Sequence, residues 1–328
     1  MMRWGLAATL VLATALPAGA EPVAAGQDGL AWLQRIASAA REVNYQGTFV
    51  YQYGDRVETS RIIHLVDDKG EHEKLEALDG PPREIIRSND TVQCYLPADK
   101  TLKVDRRKPR QTFPALRPEQ LSSLQEFYRI RTVGIERIAG HETQVLAVEP
   151  KDGLRYGYKL WAEAGSGLLL KRAMLDDAQR VVEQIAFTQV EIGKPIDRDL
   201  LKPRFEARVA EWSRSESGET EAGGAAGSAS GWRIQEQPPG FRKVLETRRK
   251  LAGKPHTVTH IMLSDGMAAV SVFIEPIGSK HPPVQHLSTQ GAINVYSRQV
   301  DSYLVTVVGE TPAATVMKIG NSVAQEGR

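Results

Sequence analysis

Residues 30–53 read LAWLQRIASAAREVNYQGTFVYQY, and the period of their hydrophobic pattern changes halfway along. In the first half, apolar residues recur every three or four positions, which predicts a helix with Asp28 as its N-cap. From residue 45 onward apolar and polar residues alternate, which predicts a strand with one aromatic face. That face is made of Tyr45, Phe49, Tyr51 and Tyr53.

Short β segments follow this strand as far as residue 190. Clusters of Gly, Pro, Asn and Asp separate them, as in Asp67-Asp68-Lys69-Gly70 and Asp79-Gly80-Pro81-Pro82. The spacing predicts an antiparallel meander of about nine to eleven strands, interrupted by a short helix over Pro118–Arg129. A sheet of that size must curl or close. The sequence therefore predicts a mainly β fold with some α (α+β), in which a large N-terminal sheet forms an open β-barrel.

A low-complexity stretch divides the chain. Residues 213–230 read SRSESGETEAGGAAGSAS and hold no apolar residue larger than alanine, which predicts a flexible linker. The expected domains are residues 21–208 and 231–328, joined by a linker over 209–230. The smaller domain is predicted to be a curved antiparallel sheet packed by a terminal helix, with Thr311 as the N-cap and Pro312 as the first helical residue.

The first twenty residues have the pattern of a secretory signal peptide. Arg3 supplies the positive charge, Leu6–Leu16 is an apolar run, and Ala18-Gly19-Ala20 is a typical cleavage site. The sequence predicts export with cleavage after Ala20. The single cysteine, Cys94, cannot form an intramolecular disulfide. Its alternation with Val92 and Leu96 predicts a buried thiol, with an intermolecular or redox-active role as the alternative.

Charge and motifs argue against several function classes. Removing residues 1–20 takes away one base and no acid, so the formal net charge of +2 falls to +1, which gives no support for nucleic-acid binding. Nucleophile-elbow, phosphate-loop and dinucleotide patterns are absent. His256 and His260 are four residues apart, but the three β-branched residues between them favour a strand, in which a shared metal is out of reach. We therefore expect no enzyme, no metal and no cofactor.

Two features suit binding. A curled sheet with a helix across its mouth leaves a groove for acyl chains, which the aromatic face could line, although the same rings could simply fill the core. Basic residues are dense over 100–110 and again over 242–254, and bases outnumber acids by eleven to seven from Gly231 onward. Such patches suit phosphate groups or an acidic protein segment, although each could also be an ordinary solvated surface.

Several stretches, in order, resemble the RseB/MucB family. The first two are LDGPPREI at residues 78–85 and DGLRYGYKLW at residues 152–161, which follows a similar stretch over residues 134–149. GLLLK at 167–171 and VEQIAF at 182–187 come next. Pro238-Pro239-Gly240-Phe241, the Ser264-Asp265-Gly266 turn and Val308-Gly309-Glu310 before Pro312 complete the series. The resemblance runs from about residue 30 to residue 323 outside the linker, and no single motif is diagnostic.

The resemblance implies a periplasmic negative regulator of the envelope-stress (sigma-E type) sigma factor. Family members bind the periplasmic part of a single-pass inner-membrane anti-sigma factor and shield it from regulated proteolysis, and lipid or lipopolysaccharide fragments release them. MucB-type members restrain alginate production. The large domain of the family resembles the lipoprotein carrier LolA. A homo-oligomer is compatible with the sequence.

Candidate site residues follow from combining the patches with this resemblance. The acidic protein partner is assigned to Arg242, Lys243, Arg248, Arg249 and Lys250. Lipid phosphate is assigned to Arg106, Arg107 and Lys108, and the acyl groove to Tyr45, Phe49, Tyr51 and Tyr53. The competing hypothesis is a periplasmic lipid or lipoprotein carrier or chaperone, for which the first domain alone would suffice.

Overall fold

The computed structural model describes residues 25–106, 121–217, 230–250, 256–277 and 285–326. Helices in these ranges are α1 (Ala25–Glu42), α2 (Leu121–Phe127) and α3 (Ala313–Ser322), with 3₁₀ turns at Arg198–Leu201 and Glu206–Glu211. Strands of the N-terminal part are β1 (Tyr45–Tyr53), β2 (Arg56–Asp67), β3 (Gly70–Ala77), β4 (Glu84–Ser88), β5 (Thr91–Leu96), β6 (Thr101–Arg106), β7 (Tyr128–Ile138), β8 (His141–Pro150), β9 (Gly157–Glu163), β10 (Leu169–Leu175), β11 (Val181–Ile192) and β12 (Ser213–Ser217).

These strands form one open sheet. Its order is β12-β6-β5-β4-β3-β2-β1-β11-β10-β9-β8-β7, and every pair is antiparallel except β12 with β6. The sheet is curled, and a contact between distant strands shows this. His141 at the start of β8 places its Nε2 3.3 Å from the carbonyl oxygen of Val190 in β11. The two edge strands, β12 and β7, do not pair with each other, so the predicted open barrel is confirmed as a curled sheet that does not close.

Helix α1 covers one face of this sheet, which we call the inner face. Leu33 and Ile36 are fully buried and cluster with Leu146 and Leu160 of β8 and β9. The helix begins three residues before the expected N-cap, at Ala25, and Asp28 instead accepts a hydrogen bond from Thr132 Oγ1 at 3.2 Å. This bond ties the first turn of α1 to the edge strand β7.

The structure differs from the sequence prediction at the start of the linker. Residues 205–212 pack on the outer face of β4–β6, where Phe205, Val209 and Trp212 cover Tyr95. Residues 213–217 then form β12 in parallel with β6. The composition of 213–230 hid this, because β12 is held by backbone pairing rather than by burial of apolar side chains. The first residues of the predicted linker, 209–217, therefore lie against the larger sheet.

The same packing corrects the prediction for Cys94. Tyr95 is 3% exposed, whereas Cys94 is only partly buried. Successive residues of a strand face opposite sides of the sheet, and the outer side is the one that residues 205–212 cover. Cys94 faces the inner side of β5.

Within its described residues, the second domain contains eight strands, six of which form an antiparallel sheet with α3 on one face. Its strands are β13 (Trp232–Ile234), β14 (Arg242–Lys250), β15 (Thr257–Ser264), β16 (Ala269–Pro276), β17 (Gln285–Gln290), β18 (Ile293–Val300), β19 (Tyr303–Gly309) and β20 (Val323–Gln325). The sheet order is β14-β15-β16-β19-β18-β17, while β13 and β20 pair separately. Val316 and Ile319 of α3 are fully buried against Val305 and Val307. The cap of α3 is Pro312 rather than Thr311.

Candidate functional site

The two domains meet at a buried ion pair. Arg155, in the β8–β9 turn, donates from Nε to Asp265 Oδ2 at 2.6 Å, and both side chains are fully buried. Tyr128 at the start of β7 donates its hydroxyl to the same carboxylate oxygen at 2.9 Å. Arg155 also donates to Asp152 and to the carbonyl oxygen of Pro239. One guanidinium therefore links the β8–β9 turn, the Pro238–Phe241 segment and the β15–β16 turn.

Aromatic rings enclose this guanidinium from both domains. The Arg155 guanidinium carbon lies 4.9 Å from the centroid of the Phe127 ring and 5.0 Å from that of Phe241. Gly240 permits the close approach, because a Cβ there would lie 2.4 Å from the Phe127 ring and its φ is +81°. A cation held between rings and hydrogen-bonded to a carboxylate offsets much of its desolvation cost.

The pKa values reflect this environment. Burial, followed by the negative charge of Asp265, raises the pKa of the Tyr128 hydroxyl well above its ordinary value. Burial lowers the pKa of Arg155, but its hydrogen bond and charge interaction with Asp265 outweigh that effect, so the pKa is raised. Arg155 stays charged and Tyr128 stays a hydrogen-bond donor at any physiological pH.

A second contact zone lies beside the first. Asn294 of β18 donates to the Tyr156 hydroxyl at 3.1 Å, and Thr315 of α3 donates to the carbonyl oxygen of Leu154 at 2.6 Å. Ala292 and Met267 of the second domain join the same apolar cluster as Leu33 and Leu160. Turns of the second domain therefore occupy one end of the inner face that α1 covers.

Charged groups line the rim of this contact. Arg172 of β10 pairs with Glu183 of β11, which is 2% exposed and accepts a hydrogen bond from the Tyr51 hydroxyl at 3.0 Å. Burial and Glu183 raise the pKa of Glu310 at the end of β19. Burial and Glu183 also raise the pKa of Tyr51. A carboxylate of the second domain thus faces a carboxylate of the first across the interface.

Replacing Glu310 with glutamine will raise the melting temperature at pH 7. A raised carboxyl pKa means that folding disfavours the charged form of Glu310. This free-energy penalty to the folded state is present above the folded-state pKa, and it disappears as the pH falls below the ordinary value of 4.5. Glu310 is an exposed residue, so solvent screening limits the gain to about 3 °C at most. Thermal unfolding at pH 7 and pH 4, with Glu326→Gln as the control, measures the effect. An equal gain at both pH values would contradict it.

An apolar row crosses the other half of the inner face. Gly47, Ile62, Leu75, Ile85 and Cys94 are consecutive cross-strand partners on β1 to β5, and Lys103 of β6 follows Cys94. The row lies on the face that α1 covers. Gly47 and Tyr51 point to the same side of β1, and successive cross-strand partners of Tyr51 lead to Leu160 and Leu146, which pack against α1.

Burial falls off along this row. Ile62 is 8% exposed, whereas Leu75, Ile85 and Cys94 are only partly buried. Their half-open apolar surface ends at an exposed lysine. A strip of that kind has room for an acyl chain and a cation for its headgroup.

The aromatic face predicted from the sequence is divided by the structure. Tyr45 is 4% exposed, stacks on His64 and packs with Phe187 in the core. Phe49 packs partly buried against the same Phe187 ring. Tyr51 and Tyr53 stack on each other at the domain interface, where Tyr53 lies against Gly291. Tyr45 and Phe49 cluster with Ile62 and Leu75 of the half-open row, whereas Tyr51 and Tyr53 do not.

The predicted phosphate-binding bases lie at the end of β6. Arg106 is its last residue and pairs with Thr91, but its side chain is outside the described part of the molecule, as are Arg107 and Lys108 entirely. Lys103 lies three residues before Arg106 on the same strand and follows Cys94 in the apolar row.

The bases predicted to bind a protein partner lie on β14. This strand is an edge of the second sheet, and Arg242, Lys243 and Arg248 are exposed. Arg249 and Lys250 continue the strand, with side chains outside the described residues. The structure therefore gathers the described members of this group on one edge strand of the second sheet, whereas β6 belongs to the larger sheet.

Within the described ranges, no group of three or more His, Cys, Asp or Glu residues is arranged to hold a metal ion. His260 is buried, stacks on Phe273 at 4.5 Å and lies 3.0 Å from Ser271 Oγ, so its surroundings differ from a metal site. No helix in the part of the chain that the structure describes is long and apolar enough to span a membrane.

Sequence reasoning missed the domain interface. No charge cluster or periodic pattern marks Arg155 or Asp265. The signal that could have found them is the resemblance itself, because three of its stretches, Asp152–Tyr156, Pro238–Phe241 and Ser264–Gly266, meet around the Arg155 guanidinium.

Comparisons with known proteins find the same family over both domains. Residues 28–205 match the MucB/RseB N-terminal domain model and residues 226–324 match the MucB/RseB C-terminal domain model. The chain is 32% identical over 315 residues to the sigma factor AlgU regulatory protein MucB of Pseudomonas aeruginosa, with 94% of each chain covered.

Solved structures give the same result. The chain superposes with a TM-score of 0.75 and 31% identity on a chain of the Pseudomonas aeruginosa MucA/MucB complex, covering 92% of this protein and 100% of that chain. A crystal structure of MucB gives a TM-score of 0.63 at 30% identity, covering 92% and 98%. Both domains, in this order, thus define a class of two-domain sigma-factor regulatory proteins. The chain belongs to the MucB/RseB family.

Proposed function

We propose that this protein is a periplasmic negative regulator of an envelope-stress sigma factor. It binds the periplasmic domain of a membrane anti-sigma factor, shields that domain from regulated proteolysis, and is released by lipid or lipopolysaccharide. It acts by binding, without a catalytic step. The observation that carries this proposal is the match of the whole two-domain arrangement to a chain of the MucA/MucB complex.

The interface supports one part of the proposal, a defined domain arrangement. A buried ion pair, two enclosing rings and two further hydrogen bonds fix the second domain on the inner face of the first. The TM-score is 0.75 against the MucA/MucB complex and 0.63 against the MucB structure for which no partner is named. This difference favours the present arrangement as the one that binds the anti-sigma factor.

The inner face supports the lipid part. The half-open row offers apolar surface, and turns of the second domain occupy the far end of the same face. Lipid bound in the row and the turns that carry Met267 and Ala292 would therefore occupy different parts of one face. For lipid to release the protein partner, the two ligands must favour different domain arrangements, and each then weakens the other by the same factor.

A direct binding measurement tests the regulatory proposal. Residues 21–328 are titrated into the labelled periplasmic domain of MucA and, separately, of the anti-sigma factor from the protein's own host. We expect saturable binding at micromolar concentrations or tighter to the host partner, and none to an unrelated periplasmic domain. Failure to bind either anti-sigma domain, with retained lipid binding, would favour a lipid or lipoprotein carrier instead.

The single cysteine reports on the inner face. Because Cys94 is partly exposed and lies in the apolar row, we expect it to react with a thiol reagent in the native protein. A bound acyl chain will cover it and slow the reaction by about tenfold or more, as expected when a site is mostly occupied. The measurement is the labelling rate with and without micelle-free lipopolysaccharide fragments. An unchanged rate at saturating lipid would place the acyl chain elsewhere.

A further inference from the structure

Strand β14 is an edge that carries charge on both sides of the sheet. Lys243 pairs with Leu263, which faces α3, so Lys243 lies on the helix-covered side. Arg242 pairs with Ser264 and therefore lies on the opposite side. Arg248, further along, is exposed as well. The other edge of β14 pairs with no strand among the described residues.

Not all of these charges have a partner among the residues that the structure describes. The one acid on the strand, Glu246, accepts hydrogen bonds from Lys243 Nζ and from the backbone N–H of Ser230. In the described parts of the chain, no carboxylate lies within ion-pair distance of Arg242 or Arg248. On β7, an edge of the larger sheet, Arg129 and Arg131 both pair with Glu149. Strand β17, the opposite edge of the second sheet, has no charged side chain.

An edge strand offers a row of backbone donors and acceptors to an added strand. The basic side chains at this edge repel a second copy of the same edge, so self-pairing is disfavoured and an acidic partner is favoured. Arg242 and Arg248 lie six residues apart on opposite sides of the sheet, so they match two acidic residues on opposite sides of an added strand, separated by a similar stretch of extended chain. A docked helix would meet only one side and leave the edge amides unpaired.

We propose that β14 binds an acidic extended segment of the anti-sigma factor as an added strand, so that backbone pairing provides the register and Arg242 and Arg248 provide charge complementarity. This inference rests on the proposed function, because it assigns the partner's binding mode. It extends that function by naming the surface, the backbone geometry and the chemistry of the segment recognised.

Hydrogen exchange tests the backbone part directly. In an edge strand, alternate residues direct their amides outward, where they exchange rapidly with water. On adding saturating periplasmic domain of the host anti-sigma factor to the mature chain, we expect exchange of alternate β14 amides to slow by at least about tenfold, with β17 unchanged. Binding without any protection of β14 would overturn the inference and leave the proposed function intact.

Charge reversal tests the side-chain part. Arg242→Glu combined with Arg248→Glu will weaken binding of the same domain by at least about tenfold, with a steeper loss at low salt. The control is Arg41→Glu combined with Lys69→Glu, which makes the same change in net charge on exposed residues of the first domain. Equal losses in the two double variants would overturn the inference. No binding by the unmodified chain would overturn the proposed function and this inference together.

Discussion

Replacing Arg155 with alanine will lower the free energy of unfolding by about 3–5 kcal/mol. The substitution leaves the Asp265 carboxylate fully buried at the domain interface without its cation, although the Tyr128 hydroxyl and the backbone N–H groups of Met267 and Ala268 still donate to it. An unpaired buried charge costs more than the pair itself contributes. Urea unfolding of the mature chain, followed by tryptophan fluorescence, measures the change.

A matched control separates burial from charge. Arg180 pairs with Asp176 at 2.7 Å, but its side chain is 78% exposed, so Arg180→Ala will cost only about 0–1 kcal/mol. The double variant Arg155→Met with Asp265→Asn removes both charges and will be less destabilised than Arg155→Ala. Equal effects of Arg155→Ala and Arg180→Ala would contradict the described interface.

The position of Arg155 adds a second readout. Because the guanidinium joins the two domains, its loss will also uncouple them, so that a single unfolding transition will separate into two. A destabilised but still single transition would mean that the remaining contacts, such as Asn294 with Tyr156, suffice to couple the domains.

The second large effect on stability is expected when Leu33 is replaced with alanine. Leu33 is fully buried between α1 and the inner face, and removal of its side chain leaves a cavity beside Ile36, Leu124 and Leu160. Such Leu→Ala changes cost about 2–5 kcal/mol. Gln34→Ala, on the exposed side of the same helix, will cost less than about 0.5 kcal/mol. Chemical denaturation of the two variants gives the comparison, and similar losses would mean that α1 does not pack as described.

Periodicity in the sequence was enough to predict much of the fold. The change from a helical period to alternation at Tyr45 marks the end of α1 and the start of β1, and turn residues mark most strand ends. Strand β17 was not predicted, because QHLSTQ has one large apolar residue and no alternation. Strand β12 was not predicted either, because a parallel edge pair held by its backbone needs no apolar pattern.

The candidate sites could be predicted only in part, for a different reason. A basic run such as Arg242–Lys250 is visible in one dimension, and β14 holds it as a unit. The apolar row is not visible, because its members come from five strands and meet only through register. Arg155 and Asp265 are 110 residues apart, and nothing local in either segment indicates that they form an ion pair.

The arrangement of these parts is consistent with the proposed response of one chain to two ligands. The inner face belongs to the first domain, β14 belongs to the second, and the Arg155 interface fixes one relative to the other. A lipid that enters the inner face and a protein segment that pairs with β14 do not need to touch. Their competition then depends on the domain arrangement that each one favours.

The measurement that tests the central claim most directly is release of a preformed complex by lipid. Mature protein is bound to the labelled periplasmic domain of the host anti-sigma factor, and lipopolysaccharide fragments are titrated while fluorescence anisotropy is followed. The account predicts that anisotropy falls to the value of the free domain as lipid saturates, and that excess anti-sigma domain weakens lipid binding by the same factor. Stable anisotropy in the presence of demonstrably bound lipid would contradict it.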